Sequence, residues 1–522
     1  MTTSPLYQLI LLLWLCCSGA AAAEDSPWFE GARPTAQAHQ AVALLAQARS
    51  HGLEPEDYQT PTLQRALSQA AQSQPPGPAE AAHLARSLQD SMLHYLADLH
   101  RGRIDPAAIH AHFKASHRDA FDAAAVLQAA LSSHRLGEAV RDAAPSLPQY
   151  GHLREALAFY RGLGDHAAWQ QPLPSLAAGR RSRTAKLEPG QDYAGLALLE
   201  QRLQALGDLP AQSAVPAHYE GPLVAAVTAF QERHGLAADG VIGKATLDQL
   251  QVGPSARARQ IELALERLRW TPLMQGPRMI VVNIPEFVLR AYEVENGRIQ
   301  VRQEMKVIVG KALDTRTPLF SEVMRFVEFS PYWNVPRSIA RGEIVPRLRR
   351  DPGYFAREGF EFVSADGRVD TTLSGAQLSA VVAGQSRIRQ RPGKANALGD
   401  IKFVFPNRDS IYLHHTPATA LFARDRRDFS HGCIRIEQPV ALANFVLQGM
   451  PQWNEARIRQ AMGQGQSSTL PLAEPIPVLV AYGTTLVKAG RPYFFEDIYG
   501  LDRVLDAALQ EHTRELAASA AR

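Results

Sequence analysis

The hexapeptide Ser430-His431-Gly432-Cys433-Ile434-Arg435 gathers a hydroxyl, an imidazole, a thiol and a guanidinium around one glycine. Cysteine attacks carbonyl carbon well because its thiolate is strongly nucleophilic even at partial ionisation, given a base or a positive charge nearby. Gly432 lets the backbone turn tightly and lets a substrate approach. Backbone N–H groups around Gly432 and Cys433 are candidates for holding a developing oxyanion. A base is available upstream, in Ile411-Tyr412-Leu413-His414-His415-Thr416-Pro417. Strand alternation puts Ile411 and Leu413 on one face and Tyr412 and His414 on the other. With the apolar face turned to a core, His414 and Tyr412 face a cleft and His415 starts a turn, so the pattern favours His414 over His415. The adjacent histidines point apart and cannot chelate one ion together. Cys433, His414 and His431 have no carboxylate or further cysteine at ligand spacing, so neither a metal nor a cofactor is expected.

The chain's other cysteines sharpen the reading of Cys433. Cys16 and Cys17 follow the apolar run Leu9–Leu15, and Ser18-Gly19-Ala20-Ala21-Ala22-Ala23 then leads to charged Glu24. An apolar stretch followed by small residues reads as a secretory signal peptide, residues 1–23. Cleavage near Ala23 leaves Cys433 alone in an exported, periplasmic chain. Exported proteins in oxidising compartments pair or avoid cysteines, so a lone one is either a small buried hydrophobe or a working thiol. Its neighbours favour the second. The 522 residues are 46% hydrophobic and 20% charged, with a formal net charge of +3, which implies no strongly basic or acidic partner. No basic run or recognition motif supports nucleic-acid binding, and no later segment is apolar enough to span a membrane.

The elements that must position these residues begin with a helical region, 24–190, rich in Ala and Leu at spacings of three and four. Nothing in it reads as catalytic. A compact unit follows at 191–252, with apolar stripes at Leu199, Leu203, Leu206 and at Val224, Val227, Phe230, and glycines expected at positive-φ turns. A linker helix occupies 253–276. From 277 to 505 the period changes to that of strands, in Met279–Ile284, Val288–Tyr292, Met305–Gly310, Phe326–Phe329, Lys402–Phe405, Ile411–His414 and Ile476–Tyr482. Residues 336–399 interrupt this domain with a basic helical stretch (Arg341, Arg347, Arg349, Arg350) and a polar, glycine-rich run, a length that suggests a functional cover. Residues 506–522 read as a C-terminal helix or tail. The fold class is multidomain α+β.

Two stretches carry a family resemblance. Gly221-Pro222-Leu223, Phe230-Gln231, His234-Gly235-Leu236, Asp239-Gly240-Val241-Ile242-Gly243 and Thr246-Leu247 resemble the peptidoglycan-binding type 1 module, a three-helix bundle. The span from His414 to Arg435 resembles the active-site motif of L,D-transpeptidases of the YkuD type, a His followed by Ser/Thr-His-Gly-Cys. Ser330-Pro331-Tyr332-Trp333-Asn334-Val335-Pro336, Asn396-Ala397-Leu398-Gly399 and Phe405-Pro406-Asn407 agree with the larger, YcbB-type members, as does the order of scaffold, binding module and capped catalytic domain. His415 departs from the Gly or Asp common there. The resemblance implies Cys433 as nucleophile, His414 as base and acid, and His431 as accessory or, less simply, the base. It implies Ser430 and Gly432 as loop-shaping residues, and Arg435, Tyr412, Trp333 and Asn334 as substrate contacts. It also implies 3→3 cross-linking of peptidoglycan stem peptides with release of D-alanine, a role in wall biogenesis and cell shape, sensitivity to carbapenems, and other wall synthases as possible partners. The alternatives are a cysteine L,D-carboxypeptidase or cross-link-cleaving amidase, and a non-catalytic wall-binding protein.

Overall fold

A computed structural model describes residues 26–520, apart from 73–75, 111–112, 114–120, 177–184, 212–215, 272–275 and 314. The expected signal peptide lies outside the described residues. Two compact units divide the chain, the first comprising 1–103, 119–154 and 510–522 and the second 104–118 and 155–509. The first unit is helical. Its longest helix, Pro78–Arg101, buries Leu84, Leu88, Met92, Tyr95, Leu96 and Leu99, a stripe at spacings of three and four that forms one apolar face.

In the second unit, helices Leu196–Ala205, Pro222–Arg233 and Lys244–Gln251 make a small bundle. Gln231 stitches its turn together: its side-chain amide donates to the Val241 carbonyl (2.9 Å) and Thr246 Oγ1 (3.1 Å), and its Oε1 accepts from Gly240 N–H (2.8 Å). Gly240 takes φ +71°, and a Cβ there would meet Val224 Cγ1 at 2.7 Å, so both backbone and space require glycine. Gly221 and Gly235 also take positive φ, whereas Gly243 does not. The helix Pro254–Trp270 leads from this bundle to the strands. It buries an Arg269–Glu266 ion pair at 2.8 Å, with neither side chain exposed.

Among the described residues nine strands form one sheet. Its order is Asp428–Ser430, Arg298–Gly310, Ile434–Ile436, Leu413–His414, Ile401–Val404, Phe320–Phe329, Ser468–Ala481, Arg278–Asn283, Val288–Glu295. Val288–Glu295 also pairs antiparallel with Arg298–Gly310, so the sheet closes on itself as a barrel. Inward residues such as Ile280, Val327, Phe403, Leu413, Ile434 and Val478 fill it and are fully buried. The segment expected as a strand at Ile411–His414 is regular only at Leu413–His414.

The insertion is the connection of a hairpin. Phe320–Phe329 pairs antiparallel with Ile401–Val404, and the Ser330 N–H donates to the Asp400 carbonyl at 2.8 Å where the two stems meet. Everything between is a folded lobe, including the stretch expected as a polar, glycine-rich run. Strands Trp333–Asn334, Ser386–Gln390, Phe360–Ser364 and Val369–Asp370 form their own antiparallel sheet. Val345, Leu348, Phe355, Phe360, Phe362 and Ile388 make a separate core beneath it. Gly384 caps the helix Gly375–Ala383 at φ +80°. A helix, Leu501–Ala520, runs across the boundary expected at 505.

Candidate active site

Register brings the two motifs together. Leu413–His414 runs parallel to Ile434–Ile436, with Leu413 opposite Ile434 and His414 opposite Arg435. Cys433 directly precedes the second strand and therefore lies beside Tyr412, whose carbonyl accepts from the Ile434 N–H at 3.1 Å. Leu413 and Ile434 point into the barrel core and are fully buried. Alternation turns Tyr412, His414, Cys433 and Arg435 to the opposite face. There they line a cleft of about 490 Å³ together with Ser430 and His431. The insertion supplies the facing wall, including Trp333, Ile339, Glu343, Arg347, Arg350 and Tyr354.

His414 is buried, and its Nδ1 donates to the His415 carbonyl at 2.5 Å, which leaves the Nε2 lone pair as the basic position. Burial, reinforced by the Arg435 guanidinium, pulls its pKa down to about 3, so the ring is neutral at physiological pH. Burial raises the Cys433 thiol, although the Tyr412 backbone N–H and phenol, Lys402 and Arg435 all favour the thiolate. The resting pair is thus a neutral thiol and a neutral imidazole. The thiol contacts the Ser410 carbonyl at 3.7 Å. The thiolate expected from the sequence is therefore not the resting form.

His415 is turned away. Its Nδ1 pairs with Asp400, and it packs where a Cβ on Gly399 would approach within 2.6 Å. The two adjacent histidines thus occupy different environments, as their alternation predicts. His431 is engaged from the insertion: its Nε2 lies 2.6 Å from Glu343 Oε1.

The nucleophile loop is held by contacts that its own sequence does not disclose. Ser430 Oγ donates to the Cys433 carbonyl (2.6 Å) and accepts from the Gly432 N–H (3.2 Å). The Gly432 amide, expected among the oxyanion donors, is therefore already engaged within the loop. Gly432 takes φ +109°, a conformation that side chains avoid. Thr317 Oγ1 donates to the Gly432 carbonyl at 2.7 Å, and Thr315 Oγ1 to the Ser430 carbonyl at 3.0 Å. The Tyr499 phenol accepts from the Thr317 N–H (3.2 Å) and donates to the Gly310 carbonyl (2.6 Å). At Gly310 a Cβ would fall 1.9 Å from the Thr315 carbonyl oxygen. Thr315, Thr317, Tyr499 and Gly310 are distant in sequence from the motif. Only the close approach of backbones at Gly310 offered a signal, and it is visible only once the strands are paired.

Trp333 lines the cleft as expected, but Asn334 does not. It is exposed on its two-residue strand, where alternation turns it away from Trp333. Of the insertion's basic residues Arg347 and Arg350 reach the cleft, while Arg341 and Arg349 do not line it. Among the described residues the Arg435 Nε is buried without a hydrogen-bond partner. The same residues contain no group of three His, Cys, Asp or Glu placed to hold a metal ion. None of their helices is long and apolar enough to cross a membrane.

Residues 277–453 match the L,D-transpeptidase catalytic domain of the YkuD family. The chain carries an L,D-transpeptidase catalytic domain. Residues 193–250 match the family described as "Putative peptidoglycan binding domain", and 21–157 match a scaffold domain. A Haemophilus influenzae protein named "Putative L,D-transpeptidase" is 31% identical over 250 residues, which are 48% of this chain. The match spans about half of that relative, 49% of its length. A fused Zn-dependent amidase/peptidase/peptidoglycan-binding protein of Clostridium acetobutylicum aligns over 57% of the chain and all of its own. At 10% identity and a TM-score of 0.17, it carries no argument. The matched stretch holds the insertion and every barrel strand but Ser468–Ala481, and the cleft lies between barrel and insertion.

Proposed function

We propose that this protein forms 3→3 cross-links in peptidoglycan through a thioester on Cys433. The observation that carries the reading is the placement of a thiol and a buried, neutral imidazole on one face of neighbouring parallel strands, inside a single cleft. His414 Nε2 takes the thiol proton as sulphur attacks the carbonyl at the L-centre of diaminopimelate in a tetrapeptide stem. The tetrahedral intermediate collapses with cleavage of the C–N bond, and the imidazolium returns its proton to the departing D-alanine amine. The side-chain amine of a second stem then loses a proton to His414 and attacks the thioester. The C–S bond breaks, and the thiol is restored.

Stem peptides carry free carboxylates, and the cleft presents guanidinium groups from both walls, Arg435 from the barrel and Arg347 and Arg350 from the insertion. Those charges fit an anionic peptide. A transferase must also keep water from its thioester until the amine arrives, a task suited to the folded lobe over the cleft. The peptidoglycan-binding domain supports a wall polymer as substrate, and export to the periplasm and partnership with wall synthases belong to the same reading.

Incubating purified protein with tetrapeptide-rich sacculi, followed by muropeptide analysis, tests it. The expected product is the 3→3 dimer with one D-alanine released per link. Tripeptide without dimer would make the enzyme a carboxypeptidase, and no change with either product would leave a wall-binding protein. A carbapenem supplies a second check, since the thiol S–H adds across the lactam C–N bond, sulphur to carbon and proton to nitrogen. Intact-mass and peptide mapping should find the adduct on Cys433.

A further inference from the structure

The insertion touches the nucleophile loop through one carboxylate. Among the described residues, hydrogen bonds reach the Ser430–Gly432 loop from the barrel side through Lys311, Thr315 and Thr317, and from the insertion through Glu343. Glu343 Oε1 lies 2.6 Å from His431 Nε2, two residues before Cys433. The local backbone is unusual at that point. The helical stretch 337–350 is α-helical at each end but widens to a π turn over Ala340–Ile344, which contains Glu343. A π turn costs regular hydrogen bonding and recurs where a helix must aim a side chain at a site. The rest of the lobe is built on its own core, and its two stems meet at the Ser330–Asp400 hydrogen bond. A change in the lobe's position about those stems would therefore alter the Glu343–His431 contact.

We infer that Glu343 is a positioning residue that couples the insertion to the reactivity of the nucleophile. By holding His431 it fixes the open side of the loop whose barrel side Thr317 and Ser430 already fix. Cys433 is then fully competent only while the lobe covers the cleft. This arrangement would tie acylation to the closed state, in which the thioester is shielded. The inference rests on the proposed thioester chemistry at Cys433.

The test follows the pre-steady-state rate of Cys433 acylation by a carbapenem in the full-length protein. Glu343→Ala should lower the saturating rate about tenfold, the loss of one charge-assisted hydrogen bond, with little change in the concentration needed for half-saturation. Glu343→Gln keeps an acceptor oxygen and should recover most of the rate. In a double-mutant cycle, His431→Ala should add little to Glu343→Ala, because both remove the same contact. Glu343 is exposed, so both variants should keep the fold, which melting curves check. Wild-type acylation by Glu343→Ala, or fully additive effects of the two changes, would overturn the inference. Failure of the wild-type protein to acylate at all would instead overturn the proposed function.

Discussion

The two walls of the cleft are made in different ways. On the barrel wall Tyr412, His414, Cys433 and Arg435 are set by the register of two short parallel strands whose other face is fully buried. A shift of one residue in either strand would turn Leu413 or Ile434 out of the core, so hydrophobic burial polices the geometry of the chemistry. On the insertion wall, Glu343, Arg347 and Arg350 are exposed side chains of one helical stretch, anchored to a lobe with its own small core. Their position over the cleft depends on the stems at Ser330 and Asp400 rather than on the barrel's packing. Under the proposed function, reaction falls to the barrel wall and recognition to the insertion wall, so changes on the two walls should have different kinetic signatures.

The largest effect belongs to the barrel wall. Cys433→Ala should lower cross-linking by at least about a thousandfold, as loss of a covalent nucleophile does, while the melting temperature stays close to that of the parent. Muropeptide analysis beside a thermal melt reads both, and appreciable dimer formation by the folded variant would remove Cys433 from the mechanism.

Next comes the contrast between the neighbouring histidines. His414→Ala should slow acylation by about a hundredfold to ten-thousandfold, the usual worth of a general base. His415→Ala should slow it less than tenfold and cost no more than about 1 kcal/mol of stability, because its pair with Asp400 is partly exposed. Equal losses in the two variants would show that alternation does not separate their roles.

On the insertion wall Arg347→Ala and Arg350→Ala should raise KM for a stem peptide by about three- to tenfold each, the range of a partly screened charge contact, with kcat nearly unchanged. A fall in kcat without a change in KM would place these arginines in the chemistry and erase the distinction between the walls.

The smallest effect is on stability. Folded His414 resists protonation down to about pH 3, whereas a histidine in the unfolded chain takes up its proton near 6.5. Between those values the unfolded state binds more protons, so this group's contribution is fully present above about pH 6.5 and is lost as pH falls towards about 3. Urea unfolding across that window should give a shallower pH dependence for His414→Gln than for the parent. Identical slopes would mean that His414 titrates normally and is not buried.

The domain's strands were legible in the sequence because the barrel core repeats β-branched and aromatic residues along them. The three helices of the binding module were legible because their glycines and apolar stripes answer to local geometry. Trp333 and Asn334 show the limit of that legibility. Both sit in a motif-like stretch, yet alternation on a two-residue strand sends one into the cleft and the other to solvent. The lobe at 330–400 was harder still, since its strands are short and its core is assembled from segments separated by polar turns.

The sequence by itself determined which side chains can react and, through strand period, which of two adjacent histidines faces them. These are properties of residue type and of neighbours one or two positions away. Only the tertiary structure decided the neutral state of His414 and Cys433, the clamp of Thr317 and Tyr499, and the reach of Glu343 to His431. Each depends on burial or on contacts between segments 88 to 189 residues apart or between strands in register. Those terms are set by the closure of the barrel and the folding of the lobe above it, and no local pattern encodes them.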